Sequence, residues 1–212
     1  MPLLLAEATA SDLSAVIKIE TEIFASNPVF HYLFPKGVTA IRLASLKDDY
    51  QHMIAHDASA HQLKVSDSTT GNIVAVGRWH VYRLPRPESE LERDKERVWS
   101  PDARSDEDCQ EFSDLLTEAR KRVMGGRPHL FPDYRGRGAA SQILQWGFAQ
   151  ADELGLPAYL EASDEGAVLY ERRGFEKVGT LVTALKRWGG EGSLVAPLMV
   201  RQPNRFAVKA TT

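Results

Sequence analysis

Pro132-Asp133-Tyr134-Arg135-Gly136-Arg137-Gly138-Ala139-Ala140-Ser141 is the stretch on which the fold turns. It stands directly before a helix-period run that extends to Leu154 and is closed by Gly155. Consecutive small residues let a backbone approach a ligand closely. The first N–H groups of a helix have no partner within the helix, and the helix dipole favours an anion beside them. Arg135 and Arg137 add positive charge, so the physical reading is a diphosphate cradle. A P-loop would need Gly-Lys-Ser/Thr, which is absent here. A dinucleotide fingerprint would put Gly or Ala where Ser141 stands and a full strand in front. Both alternatives fit poorly.

Downstream, residues 157–162 read as a strand, 165–173 as a short helix closed by Gly174, and 175–185 as another strand. A last strand runs over 194–200, where Pro197 predicts an edge position or a bulge. Upstream, residues 3–8 form a first strand. Ser11-Asp12 caps a helix carrying Leu13, Ile17, Ile19, Ile23 and Phe24, and Asn27-Pro28 breaks it. Thr39 caps a long helix through His56. Residues 61–66 and 72–82 are two strands joined by a turn, a hairpin. Helix and strand alternate in the C-terminal half, while the N-terminal half offers helices and a hairpin. The economical architecture is one α/β domain over 1–212, a mixed sheet with helices on both faces.

More than half of residues 86–122 are charged, against 26% of the whole chain. This segment reads as a solvated helical excursion at about 85–127. Phe112, Leu115, Leu116, Ala119 and Val123 give its second half one amphipathic helix, which Gly125-Gly126 stops.

The 212 residues, with 43% hydrophobic content, suffice for a sizeable core. The formal net charge of -3 gives no global electrostatic reason to bind nucleic acid. The single cysteine, Cys109, cannot form an intramolecular disulfide, and its acidic neighbours would raise a thiol pKa rather than lower it. The start of the chain lacks the basic region of a signal peptide, and no apolar run reaches the length of a membrane span. A cytoplasmic protein that uses no metal and no membrane is the expectation.

Arg135-x-x-Gly138-x-Ala140 resembles the (Arg/Gln)-x-x-Gly-x-(Gly/Ala) signature of the GNAT acetyltransferases. The likeness continues through Pro157-Ala158-Tyr159-Leu160-Glu161-Ala162-Ser163. It closes with Leu169-Tyr170-Glu171-Arg172-Arg173-Gly174-Phe175, which is similar to the family's "Leu-Tyr-x-x-x-Gly-Phe" element. It covers residues 132 to about 180. The resemblance implies a mostly antiparallel central sheet and acetyl-CoA as co-substrate. It also implies a pyrophosphate held by Arg135, Gly136, Arg137, Gly138, Ala139, Ala140 and Ser141. The acceptor it implies is an amine, and the acidic balance and the lack of a basic or peptide-like groove favour a small molecule over a histone. Tyr170 takes the position of the family's general acid.

Two residues are candidates for the base. Glu161 shares a strand face with Tyr159 and Ser163, and His80 stands at the end of the hairpin, histidine being the side-chain type suited to a base near neutral pH. Arg172 and Arg173 either reach the CoA phosphates or counter the helix dipole. In one respect the chain departs from the family. A full strand normally runs into the signature loop, pairs with the pantetheine arm and splays from the next strand. Here only His129-Leu130-Phe131 lie between Pro128 and Pro132, and proline gives no ladder bond. The expectation is one shortened central strand. A non-catalytic acyl-CoA binder is therefore the second reading, and a protein-interaction domain using the excursion the third.

Overall fold

A computed structural model describes residues 2–24, 27–93, 98–135, 140–188 and 190–204. Strand β1 (Leu3–Glu7) leads into a short 3-10 turn, Ala10–Asp12, and then helix α1 (Leu13–Phe24). The cap is Thr9, whose N–H donates to Asp12 Oδ2 at 2.8 Å, not the Ser11-Asp12 pair. Helix α2 (Pro28–Leu33) begins where the Asn27 side chain accepts from the Val29 N–H at 2.9 Å. Helix α3 (Ala40–His56) is capped by Thr39, whose hydroxyl accepts from the Arg42 N–H at 3.1 Å. Strands β2 (Ala60–Asp67) and β3 (Ile73–Tyr82) form the hairpin.

Helix α4 (Glu88–Arg93) and helix α5 (Asp106–Met124) follow. Three acidic residues in the first turn of α5, and Lys121 and Arg122 in its last, complement the helix dipole. Strand β4 (His129–Arg135), helix α6 (Ala140–Leu154), strand β5 (Ala158–Glu161) and helix α7 (Asp164–Glu171) come next. Strands β6 (Phe175–Ala184) and β7 (Ser193–Arg201) close the described chain.

The seven strands form one sheet in the order β1-β2-β3-β4-β5-β7-β6. Only the β4–β5 neighbours are parallel; every other neighbouring pair is antiparallel. Strand alternation sends Trp79, Leu130, Ala158 and Leu160 to one face, under α6 and α7. Phe131 and Tyr159 go to the other face, under α5, and Val76 packs there against α1. Arg201 fastens β7 to α6 through two bonds to the Asp152 carboxylate, at 2.7 and 2.8 Å.

Three expectations change. Strand β4 is not shortened: it has seven residues, and six of them, Pro132 among them, pair with β3. In a strand, N–H groups alternate between the two neighbours. Leu130 donates to the Pro157 carbonyl at 2.9 Å, so the nitrogen of residue 132 also faces β5 and not β3. Proline therefore costs the β3–β4 ladder nothing. Strand β7 is not an edge strand either, since it lies between β5 and β6. Pro197 sits opposite Ala162, one residue past the end of β5, where its carbonyl accepts from the Ala162 N–H at 2.8 Å and only the returning N–H bond is missing. Finally, α5 is no solvated flap. Cys109, Ser113, Thr117, Ala119 and Met124 are buried, and the helix covers the Phe131–Tyr159 face of the sheet.

Candidate active site

The parallel strands β4 and β5 share a single register pair, Leu130 with Ala158. The next ladder bond would run from residue 132 to the Tyr159 carbonyl. Residue 132 is proline and has no hydrogen to give. From there the two strands part, and a wedge opens toward Arg135 on one side and Glu161 on the other. Alternation turns the backbone groups of Tyr159 and Glu161 into that wedge. Helix α6 starts at Ala140, five residues beyond the end of β4, so the wedge and the helix N-terminus share one end of the sheet. Gly136, Arg137, Gly138 and Ala139, the centre of the sequence-predicted cradle, lie outside the described residues. Arg135 ends β4 opposite Gly77, Ala140 opens α6, and Ser141 is exposed in its first turn.

Tyr170 and Glu161 lie on different faces of the sheet. Helix α7 starts three residues after β5, capped by Ser163, whose hydroxyl accepts from the Gly166 N–H at 3.1 Å. Tyr170 on α7 is 4% exposed, with its ring edge-on to Phe175 at 5.6 Å. Glu161 ends β5 on the opposite face, beside Tyr159. Burial, then the Glu161 carboxylate, push the Tyr159 phenol above its ordinary range, while Arg120 and Arg122 pull it the other way. Arg172 forms the C-cap of α7 and is exposed.

His80 lies in β3 on the Tyr159 face. A row of nearly parallel rings crosses three strands there. Tyr82 and His80 stand 5.6 Å apart, His80 and Phe131 6.4 Å, and Phe131 and Tyr159 6.2 Å. The Nδ1 atom of His80 is 3.3 Å from the Ser59 hydroxyl and 3.6 Å from the Asp57 carboxylate. Ser59 in turn donates its hydroxyl to Asp57 Oδ1 at 2.7 Å. This group opens on a cleft of about 590 Å³ whose wall also carries Arg83, Arg86 and Arg120. Under the same wall His129 is 2% exposed. Burial and the nearby Arg120, Arg86 and Arg127 push its imidazole down to about 4, while its bond to the Arg127 carbonyl opposes them.

Sequence reading named His80, Tyr170 and Glu161 as candidates and did not name Asp57, Ser59 or Arg120, which stand around His80 or line its cleft. It also missed a buried polar group under α1 and α3. There the Tyr50 hydroxyl donates to Glu20, and the Arg78 guanidinium lies 4.4 Å from the Tyr50 ring and donates to Gln62 at 3.0 Å. Burial pushes the Tyr50 phenol above its ordinary range, and the Arg78 charge opposes the shift. The only sequence signal for this group was a charged residue at an inward-facing strand position, Arg78 between Val76 and His80. Cys109 is buried, and burial raises its thiol to about 11, with Arg42 opposing. No helix among the described residues is long and apolar enough to cross a membrane.

No family model and no curated protein matches the chain. Solved structures do. A histone acetyltransferase HPA2-related acetyltransferase from Corynebacterium glutamicum is 22% identical, with 96% of this chain and 98% of that one covered at a TM-score of 0.57. Arylalkylamine N-acetyltransferase 2 from Aedes aegypti is 12% identical, with 96% and 100% covered and a TM-score of 0.61. Spermidine N-acetyltransferase from Vibrio cholerae, solved with CoA and spermine, is 15% identical, with 97% and 98% covered and a TM-score of 0.55. The chain has the fold of these N-acetyltransferases, the GNAT fold.

Proposed function

We propose that this GNAT-fold chain transfers an acetyl group from acetyl-CoA to the amine of a small-molecule acceptor. The observation that carries the reading is the wedge between β4 and β5, with the N-terminus of α6 at its open end. A diphosphate suits the helix start, and an extended amide-bearing arm suits backbone groups turned into the wedge. Arg135, the 136–139 turn, Ala140 and Ser141 hold the pyrophosphate in this reading; Arg172 stands just before Phe175, whose partner Arg201 pairs with the start of β5, so it belongs to the other end of the sheet and takes no part.

The chemistry assigns three tasks. An alkyl amine has a pKa of about 10.4, so a base must take its proton. The amine nitrogen then attacks the thioester carbonyl, the carbon–sulfur bond breaks, and the thiolate accepts a proton. Tyr170 is the donor to that thiolate. A phenol, as a class titrating at about 10, can protonate a thiolate whose acid titrates at about 8.5. His80 is the favoured base. Asp57 and Ser59 hold one of its nitrogens and the cleft gives it access to a ligand. Glu161 is the second candidate, already engaged with Tyr159. The non-catalytic reading loses its premise, because β4 has its full length.

Calorimetric titration of acetyl-CoA, followed by a thiol-release assay over a panel of amines, tests the proposal. Binding with release of free CoA upholds it. Absence of binding at millimolar acetyl-CoA overturns it.

A further inference from the structure

We infer that the cleft at the end of β3 is the acceptor subsite and that it takes an aromatic amine which also bears a carboxylate, the chemistry of an aromatic amino acid. This rests on the transferase reading above and adds the substrate class. Two features of the cleft carry it.

The first is its floor. The Tyr82 and His80 rings line it almost parallel, with 14° between their planes. Such a surface takes a planar ring by stacking.

The second is unmatched positive charge. Arg86 is already engaged, with its guanidinium 4.2 Å from the Tyr82 ring and 3.5 Å from Glu90. Arg83 and Arg120 have no carboxylate partner among the described residues. Arg120 lines the same cleft, with its guanidinium 4.0 Å from the buried Phe131 ring. Two arginines beside an aromatic surface match a carboxylate held at one end of a stacked ring. Asp57 bonds Ser59, and Glu90 stands 3.5 Å from Arg86, so neither carboxylate is paired with Arg83 or Arg120. His80, on the same floor, receives the amine.

The test measures kcat/KM for phenylalanine, tyrosine and tryptophan, each against its decarboxylated amine, with acetyl-CoA as donor. The expected result is at least a tenfold preference for the amino acid in each pair. In Arg83→Gln/Arg120→Gln that ratio falls at least tenfold, and Arg120→Lys restores part of it. A wild-type preference for the decarboxylated amines, or an unchanged ratio in the double variant, overturns the inference. A second arm needs no catalysis. Calorimetry with the N-acetyl derivatives of the three amino acids should show binding to the wild-type chain and at least tenfold weaker binding to the double variant. Equal binding by both proteins, or binding by neither, overturns the inference. Transfer to amines with an unchanged ratio leaves the transferase reading standing and removes the substrate class. Charge-dependent binding with no transfer to any amine does the reverse.

Discussion

Gly147 and Trp79 touch so closely that a Cβ on the glycine would stand 2.1 Å from Cε2 of the indole. The indole N–H also donates to the Ile143 carbonyl at 3.0 Å, one turn earlier on the same helix. Helix α6 is thus seated on β3 by one missing side chain and one hydrogen bond. That seat sets where the helix N-terminus stands relative to the wedge.

Gly147→Ala must push the helix off the fully buried indole. Overpacking of this kind costs about 1–3 kcal/mol, and the denaturant midpoint should fall accordingly. Because the helix start moves with it, acetyl-CoA affinity measured by calorimetry should fall as well.

Gly138→Glu introduces bulk and negative charge at the centre of the proposed pyrophosphate turn. Acetyl-CoA binding should be lost to calorimetry, with the thermal midpoint close to that of the unmodified chain. Retained affinity would remove the turn from the binding site.

Tyr170→Phe keeps the ring against Phe175 and removes only the hydroxyl. Loss of a positioned proton donor typically costs about 10²–10⁴-fold in rate. Turnover should fall in that range, with acetyl-CoA affinity within twofold, a bound of about 0.4 kcal/mol by the usual conversion. Unchanged turnover would take the acid role from Tyr170.

His129 should make folding stability depend on pH. Its imidazole is held at about 4 in the folded chain, against an ordinary 6.5. Between those values the unfolded chain binds the extra proton and the folded chain does not, so stability rises with pH. The contribution is fully present above about 6.5 and is lost as pH falls toward 4, at a limiting slope of about 1.4 kcal/mol per unit. Asp12, Asp102 and Asp152, all lowered below 3.8, act only in a more acidic window. Chemical denaturation across pH 4–7 should show the slope, and His129→Gln should flatten it.

Much of the fold was legible because its signals are local. Thr39 before an apolar-periodic run gives the start of α3, and the turn between the hairpin strands gives β2 and β3. Other features depend on partners that sequence does not reveal. Pro132 read as a strand end because a proline cannot donate. That inference fails where the silent nitrogen faces a gap, and only the registers of both neighbouring strands show which way it faces. The excursion read as solvated because its charges outnumber its apolar residues. Its inward stripe includes Ser113 and Thr117, which carry little hydrophobic signal although both are buried. Gly125-Gly126 read as one stop signal, yet the two act differently. Gly125 takes a φ of 56°, whereas a Cβ on Gly126 would meet the Arg86 carbonyl at 2.2 Å. Of the candidate site, Tyr170, Glu161 and His80 could be named from sequence. The Asp57–Ser59 support of His80 could not, since it forms across the turn from α3 into β2.

The proline in β4 bears on what the chain must do before it meets its carrier. Two parallel strands that can zip together would have to be pulled apart, and the incoming arm would have to supply that work. Here the next bond needed for zipping cannot form, because Pro132 has no N–H to give, so closing the slot would gain one ladder bond fewer. In the proposed reading, an acetyl-CoA arm entering the slot has one ladder bond fewer to displace.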